Sequence, residues 1–188
     1  MYPAFLSSEF CEAGFKFFIM NEVIKVVAQY LYVPVILGAL LFAVIFYRKR
    51  LIELGLATLF IGGLSYLLSK VGAQLISDPR PFIQTGIAPL IPGALDNGFP
   101  SDHTLLVAAV GGILFYFNWK AGLVVWFLAL LIGLARVYAG VHHLLDIAGS
   151  LVIVLAVTAL FILGRQLWQK NGLSRRTSQA NQGASEPR

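Results

Sequence analysis

The stretch "LYVPVILGALLFAVIFYRKR", Leu31 to Arg50, decides the fold class of this chain. It carries no charge up to Tyr47 and then ends on three consecutive basic residues. Long uncharged apolar runs are typical of helices that cross a lipid bilayer, which need about 20 residues to do so. Basic residues directly after such a run indicate its cytoplasmic end. The stretch therefore predicts a transmembrane helix whose C-terminal end faces the cytoplasm.

The composition of the whole chain agrees with this reading. Of its 188 residues, 58% are hydrophobic and only 12% are charged, and the mean hydropathy is +0.79. Soluble domains lie far from these values. We therefore predict an all-α, polytopic membrane helix bundle of about five transmembrane helices, at about 26–47, 51–76, 104–117, 121–134 and 144–163. Pro34 is expected to kink the first of them.

Two end segments differ from the predicted membrane domain at 23–168. Residues 1–22 alternate aromatic and charged positions, as in "EFCEAGFKFF", which is too interrupted to span and favours an interfacial helix. Residues 169–188 are polar and rich in Ser, Gln and Gly, which predicts a disordered cytoplasmic tail.

The basic residues predict the orientation of the chain. Alternation from the Arg48–Arg50 connection puts the 77–100 and 135–143 connections outside. Nine of the fourteen Lys and Arg then fall on the inner side, at positions 48, 49, 50, 120, 165, 170, 175, 176 and 188. The net charge of +5 therefore indicates contact with membrane lipids and not with nucleic acid.

Polar residues collect at three outer span ends, and the first cluster is "DPRPF", residues 78–82. Arg80 stands between two prolines, which restrain its backbone. A guanidinium presented in a fixed direction suits a phosphate group. The alternative for this cluster alone is an interfacial arginine that reaches toward the lipid surface.

The second cluster is "FPSDH", residues 99–103, where the third span begins. Pro100 and Ser101 are typical of a helix start, with Ser101 able to cap it. A helix N-terminus of this kind binds anions. With His103 beside it, such a site would serve phosphate chemistry, whereas the simpler interpretation is an N-cap followed by an exposed histidine.

The third cluster is "ARVYAGVHHLLD", residues 135–146. His142 and Asp146 are four apart, which places them on one face of a helix within hydrogen-bond reach. An aspartate on one imidazole nitrogen fixes the tautomer and raises the basicity of the other, as a nucleophilic histidine requires. Arg136 is expected at the end of the fourth helix, before a turn at Ala139-Gly140. A purely structural His–Asp pair is the alternative for this cluster alone.

In chain order these clusters resemble the three signature motifs of the type 2 phosphatidic acid phosphatase (PAP2) family: Arg80-Pro81, then Pro100 to His103, then Arg136, His142 and Asp146. The sequence "FPSDHT", with "PRPF" and "LIP" upstream, looks more like the bacterial undecaprenyl-diphosphate phosphatases of the bacitracin-resistance type. The resemblance implies that His142 is the nucleophile, Asp146 its orienter and His103 the general acid. It also implies that phosphate oxygens are bound by Arg80, Ser101 and Arg136.

The chain departs from the family pattern at two positions. Ala135 replaces a serine before Arg136, and Ala73 stands where the first motif has lysine. Lys70 is the nearest replacement, with a doubtful place among the phosphate ligands. His143 and Asp102 are expected to lie behind the site residues. Asp102 could orient His103 or Arg80, or strengthen the helix start through its dipole.

The resemblance implies a metal-independent lipid phosphatase in the bacterial cell (inner) membrane, with its site facing the outside or periplasm. It would hydrolyse undecaprenyl diphosphate to undecaprenyl phosphate through a phosphohistidine, recycling the carrier lipid for cell-wall synthesis. No cofactor is expected, and three histidines without a carboxylate cluster do not indicate a metal site. The alternatives are a phosphatase of phosphatidic acid or phosphatidylglycerol phosphate, and a small membrane transporter.

Overall fold

The structure is a computed structural model that describes the backbone of residues 5–184 and the side chains of residues 14–171. Its described part is helical apart from turns and one isolated bridge between Pro79 and Asn97. The helices are α1 Phe5–Tyr30, α2 Tyr32–Tyr47, α3 Leu51–Ala57, α4 Leu64–Leu75, α5 Pro81–Thr85, α6 Asp102–Phe117, α7 Trp119–Tyr138 and α8 Leu144–Ala184. A 3₁₀ turn at Arg48–Arg50 joins α2 to α3, and a π-helical turn at Thr58–Gly63 joins α3 to α4.

The predicted membrane bundle is confirmed. Three helical runs in the described part are long and apolar enough to cross a membrane, namely Tyr32–Leu75, Trp119–Tyr138 and Leu144–Asn171. Helix α6 is equally apolar but shorter. Large apolar side chains are exposed along these helices, which is the pattern of a protein whose outer surface faces lipid.

The long run Tyr32–Leu75 turns back at Arg48–Arg50 and so supplies two spans. Helix α2 runs parallel to α6, because the Tyr32 ring contacts His103 and the Tyr47 ring contacts Phe117. The returning segment runs the other way: Ile61 packs near Ile113, and Lys70 lies beside Asp102 at the start of α6. Five apolar segments therefore alternate in direction, as expected.

Helix α6 is the central element, with α2, α7, α8 and the returning segment packed around it. Its contacts are close because it carries glycines. A Cβ built on Gly111 would lie 2.4 Å from Cδ1 of Trp126, and one on Gly112 would lie 2.3 Å from Oγ1 of Thr158. This close packing fixes the middle of α6 against α7 and α8.

Two boundaries differ from the sequence prediction. The first span begins at Tyr32, because Pro34 has no N–H to bond the Tyr30 carbonyl and the helix breaks at Leu31. Residues 26–30 instead belong to α1, which runs unbroken across the expected boundary at residue 22. At the other end, α8 continues to Ala184 through most of the segment expected to be a disordered tail.

Candidate active site

All three polar clusters lie at one end of the bundle, where α4, α6, α7 and α8 meet. The connection after α4 is folded back onto that end by the side chain of Asn97. Its Oδ1 accepts hydrogen bonds from the backbone N–H of Asp78 (2.8 Å) and Phe99 (3.2 Å). Its Nδ2 donates to the carbonyls of Ala73 and Ile76, each at 2.7 Å. The first cluster is thereby attached to the second.

His142 and Asp146 form a buried pair in the turn between α7 and α8. The Nδ1 of His142 lies 3.0 Å from Oδ2 of Asp146, and their side chains are 2% and 0% exposed. A carboxylate only accepts, so Nδ1 carries the proton and Nε2 keeps its lone pair. The predicted pair is therefore formed, and Nε2 of His142 is the ring nitrogen that Asp146 leaves free.

The reason for this contact differs from the one we expected. His142 precedes α8, which begins at Leu144, so the two residues do not share a helix face. Asp146 instead lies in the first turn of α8 and reaches back, also accepting a hydrogen bond from the His143 backbone N–H at 2.9 Å. The turn itself is as predicted, with Gly140 at φ +77°. Only glycine adopts that conformation without strain.

Two guanidinium groups converge on the free nitrogen of His142. Nη1 of Arg80 is 3.3 Å and Nη2 of Arg136 is 3.4 Å from His142 Nε2. Both arginines are buried, at 8% and 7% exposure. Such a pair gives a concentrated positive charge beside an imidazole nitrogen, an arrangement that suits a phosphoryl group.

Each arginine is held from behind by a different part of the chain. Arg80 donates from Nε to Oδ1 of Asp96 (2.9 Å) and from Nη1 to the Val141 carbonyl (3.1 Å). Arg136 donates from Nη1 to the carbonyl of Ala28 (3.0 Å), at the end of α1. The two guanidiniums are thus oriented before any substrate arrives.

The same positive charges act on the nucleophile itself. Burial lowers the pKa of the His142 imidazole, and the Arg136 and Arg80 guanidiniums lower it further, while the hydrogen bond that His142 donates to Asp146 acts in the opposite direction. The net direction is downward. His142 therefore stays neutral, and able to attack, to a lower pH than an ordinary histidine.

Ser101 is fully buried at the N-cap of α6, but its side chain makes no capping hydrogen bond. Its Oγ instead accepts from Oγ1 of Thr104 at 3.2 Å, so the predicted cap is wrong. The backbone of Ser101 is fixed to α8 on both sides. Its N–H donates to the Asp146 carbonyl (3.3 Å) and its carbonyl accepts from Oγ of Ser150 (3.0 Å).

His103 follows in the first turn of α6, partly buried against α2. Its ring centroid lies 4.6 Å from that of Tyr32, and the ring planes meet at 86°. This is the edge-to-face arrangement that aromatic pairs favour. The structure thus brings His103 to the same end of the bundle as His142; its role as an acid stays a prediction.

Lys70 and Asp102 form an exposed pair at the start of α6. Their charged atoms are 3.9 Å from each other, and the side chains are 52% and 71% exposed. The Lys70 ammonium also lies over the ring of Tyr66, 5.1 Å from its centroid. Of the uses open to Asp102, the structure supports the favourable position in the first turn of α6, near the positive helix end.

His143 lies behind the site with a carboxylate that the sequence did not single out. Its Nδ1 is 3.0 Å from Oδ1 of Asp78, although the two groups are not aligned for a hydrogen bond. Three side chains here, those of Asp78, His143 and Asp146, each offer one ligand atom. These atoms lie within 4.8 Å of one another, a spacing that could hold a metal ion. The fold therefore forms a small carboxylate cluster where the sequence showed none.

Sequence reasoning missed four further contributors, namely Ala28, Tyr32, Asp96 and Asn97. Asp96 and Asn97 directly precede the second cluster, so their position could have indicated a role. The Ala28 carbonyl and the Tyr32 ring come from α1 and α2, far from the three clusters in the sequence. An apolar stretch contains no signal for such contacts.

The comparisons with known proteins agree with this geometry. The sequence model of the PAP2 superfamily matches residues 50–170. This chain belongs to the PAP2 superfamily. The three clusters lie within the matched range, whereas α1, Tyr32 and the rest of α2 lie before it.

Among curated proteins, this PAP2 chain is 30% identical to undecaprenyl-diphosphatase BcrC of Bacillus subtilis (strain 168), over 76% of the chain and 74% of that protein. It is 32% identical to the bacitracin transport permease protein BcrC of Bacillus licheniformis, over 80% of the chain and 74% of that protein. Both relatives therefore match over most of their length.

Two crystal structures have the same fold. The first transmembrane PAP2 type phosphatidylglycerolphosphate phosphatase from Bacillus subtilis superposes with a TM-score of 0.55 at 29% identity, over 78% of this chain and 76% of the other. LpxE of Aquifex aeolicus gives 0.59 at 26% identity, over 76% and 84%. Together with the family match, these likenesses make the PAP2 chain a membrane-embedded lipid phosphatase.

Proposed function

We propose that this PAP2 phosphatase hydrolyses undecaprenyl diphosphate to undecaprenyl phosphate and inorganic phosphate at the outer face of the bacterial cell membrane. The observation that carries the proposal is the free Nε2 of His142 with Arg80 and Arg136 at 3.3 and 3.4 Å. The name of the B. subtilis relative supports the diphosphate as substrate.

In the proposed first step, Nε2 of His142 attacks the terminal phosphorus, and the bond from that phosphorus to the bridging oxygen breaks. His103 gives its proton to the departing lipid monophosphate. Asp146 accepts a hydrogen bond from the Nδ1–H of His142, and its negative charge compensates the positive charge that the ring gains. Arg80 and Arg136 bind the equatorial oxygens as charge redistributes over them.

In the second step, water attacks the phosphohistidine. His103, now neutral, takes a proton from that water, and the P–N bond breaks to return the electron pair to Nε2 of His142. Inorganic phosphate leaves, and both histidines are restored. Ser101, whose N–H and carbonyl are fixed to α8, is the proposed additional contact to phosphate oxygen.

The position of the site suits a lipid whose head group alone must react. The reacting residues come from the ends of helices, and the surfaces below them are apolar and exposed. A polyprenyl chain can therefore remain in the bilayer while its diphosphate enters between the helix ends. The same arrangement argues against a transporter, because the charged residues lie at the span ends and not at the midplane.

A phospholipid monophosphate is the second candidate substrate. The chain is 34% identical to phosphatidylglycerophosphatase B of Bacillus subtilis, over 62% of this chain and 58% of that protein. Phosphatidic acid and phosphatidylglycerol phosphate differ from the diphosphate in having an alkoxide as leaving group. Hydrolysis of these two phospholipids would therefore depend more strongly on the proton that His103 donates.

Phosphate release from purified protein in detergent separates these candidates. Undecaprenyl diphosphate, phosphatidic acid and phosphatidylglycerol phosphate are compared by kcat/KM, with His142→Ala as the inactive control. We expect the diphosphate to be preferred. A higher kcat/KM for either phospholipid would overturn the proposed substrate. If none of the three lipids releases phosphate, the proposed phosphatase activity is wrong.

The proposed orientation is tested by labelling single cysteines in a Cys11→Ser background, which removes the only native cysteine. A cysteine at Gln84, next to the Arg80 connection, should react with an impermeant maleimide in intact cells or spheroplasts. One at Ser178 should react only after lysis. The reverse pattern would place the site in the cytoplasm and exclude a substrate released at the outer leaflet.

A further inference from the structure

The two histidines of the site are held in different ways. His142 has a carboxylate partner at 3.0 Å. Within the part of the chain that the structure describes, the His103 imidazole makes no hydrogen bond to another residue, and its ring packs edge to face against the ring of Tyr32. The carboxylate of its sequence neighbour Asp102 lies 3.9 Å from the Lys70 ammonium. The orientation of His103 therefore depends on Tyr32.

Tyr32 is well placed to be a rigid support. It is the first residue of α2, directly after the helix break at Leu31, and it packs against the apolar core formed by α2, α6 and α7. The same corner of the chain contributes the Ala28 carbonyl that holds Arg136 at 3.0 Å. The α1–α2 corner thus contacts both the His103 ring and a guanidinium, although it lies before the family match at 50–170.

We propose that Tyr32 is a positioning residue for the reaction: its ring holds the His103 imidazole in the orientation that delivers a proton to the leaving group. The inference rests on the proposed function, in which His103 is that acid. It assigns a role in the site to the α1–α2 corner. Because the contact is between ring and ring, the Tyr32 hydroxyl is not required for it.

The inference predicts an effect that depends on the leaving group. A general acid matters most when the leaving group is a strong base, such as the alkoxide of phosphatidic acid. It matters little when the leaving group is a phosphate monoester, as in a lipid diphosphate. A residue that orients the acid must show the same dependence, whereas a residue that merely stabilises the fold lowers both rates alike.

The experiment measures KM and the single-turnover rate of phosphohistidine formation, the step in which His103 acts only as the acid, for dioctanoyl phosphatidic acid and farnesyl diphosphate with four purified variants. Tyr32→Leu removes the ring, and Tyr32→Phe keeps it without the hydroxyl. Tyr47→Leu is the matched control, since it makes the same substitution at the opposite end of α2, where Tyr47 contacts Phe117. His103→Ala reports on the acid itself.

For Tyr32→Leu we expect the rate of phosphohistidine formation from phosphatidic acid to fall about three- to tenfold, the size of an edge-to-face contact. The rate of phosphohistidine formation from farnesyl diphosphate should change by less than about twofold, and KM should stay unchanged for both substrates. Tyr32→Phe and Tyr47→Leu should resemble the wild type on both substrates. His103→Ala should lose about 10²- to 10⁴-fold on phosphatidic acid and much less on the diphosphate.

Two kinds of failure are distinguishable. Equal losses on both substrates for Tyr32→Leu, or the same losses for Tyr47→Leu, would overturn the positioning role while leaving the acid role of His103 intact. If His103→Ala loses the same factor on both substrates, the acid assignment in the proposed function is wrong, and the inference fails with it.

Discussion

Replacing Asp146 by asparagine tests how the nucleophile is activated. The substitution keeps the shape of a fully buried side chain and removes its charge. An amide carbonyl at the place of Oδ2 can still accept from His142 Nδ1 and from the His143 N–H, as the carboxylate does at 3.0 and 2.9 Å. The protein should therefore fold, and the change isolates the charge of Asp146.

The size of the loss follows from that geometry. When His142 attacks, its ring gains a positive charge whose centre lies about 4 Å from the carboxylate, which at an effective dielectric constant of about 20 corresponds to about 4 kcal/mol of attraction. Without it, the rate of attack should fall by about 10³-fold. If the amide instead turns its NH₂ toward Nδ1, the proton moves to Nε2 and the loss is larger.

The measurement is single-turnover release of phosphate, together with alkaline-quenched capture of the phosphoenzyme. We expect Asp146→Asn to accumulate phosphohistidine slowly, with KM little changed. Asp102→Asn is the matched control, because its carboxylate is 71% exposed and its pairing at 3.9 Å is worth little. A rate for Asp146→Asn within about tenfold of wild type would refute the argument, since electrostatic compensation would then be unimportant.

Three further predictions concern the same site. His142→Ala should form no phosphoenzyme and release no phosphate, because no other imidazole nitrogen lies between Arg80 and Arg136; normal turnover would exclude the mechanism. EDTA should leave activity nearly intact and vanadate, a mimic of the transferring phosphoryl group, should inhibit. Activity lost in EDTA and restored by a divalent ion would instead indicate a cation at the Asp78–His143 cluster. Because burial lowers the pKa of His142, the acidic limb of kcat/KM should lie below about pH 6.5, the ordinary value; a limb above it would contradict that environment.

Much of the fold and the meeting of the three clusters could be predicted from the sequence, because both follow from local patterns. Uncharged apolar runs define spans, and alternation of direction then brings Arg80, His103 and His142 to one side. The His142–Asp146 pair was also predictable from spacing, although the contact forms across a turn and not along a helix.

The supports behind those residues could not be predicted. Asp96 reaches Arg80 across a folded connection, and the Ala28 carbonyl reaches Arg136 from 108 positions away in the chain. Such contacts depend on tertiary packing, and neither a backbone carbonyl nor an isolated aromatic residue in an apolar run has a recognisable pattern. The cap predicted for Ser101 failed for a local reason, because its hydroxyl pairs with that of Thr104, three residues further along the chain.

The origin of the reacting side chains in helix ends and connections has a consequence for how such a protein can diverge. The membrane-facing sides of α2, α4 and α8 bear large exposed apolar residues. Substitutions there change the hydrocarbon surface offered to a lipid while the distances around His142 stay fixed. Descendants of one such ancestor can therefore acquire new lipid preferences by gradual change of their outer surface, with the chemistry inherited intact.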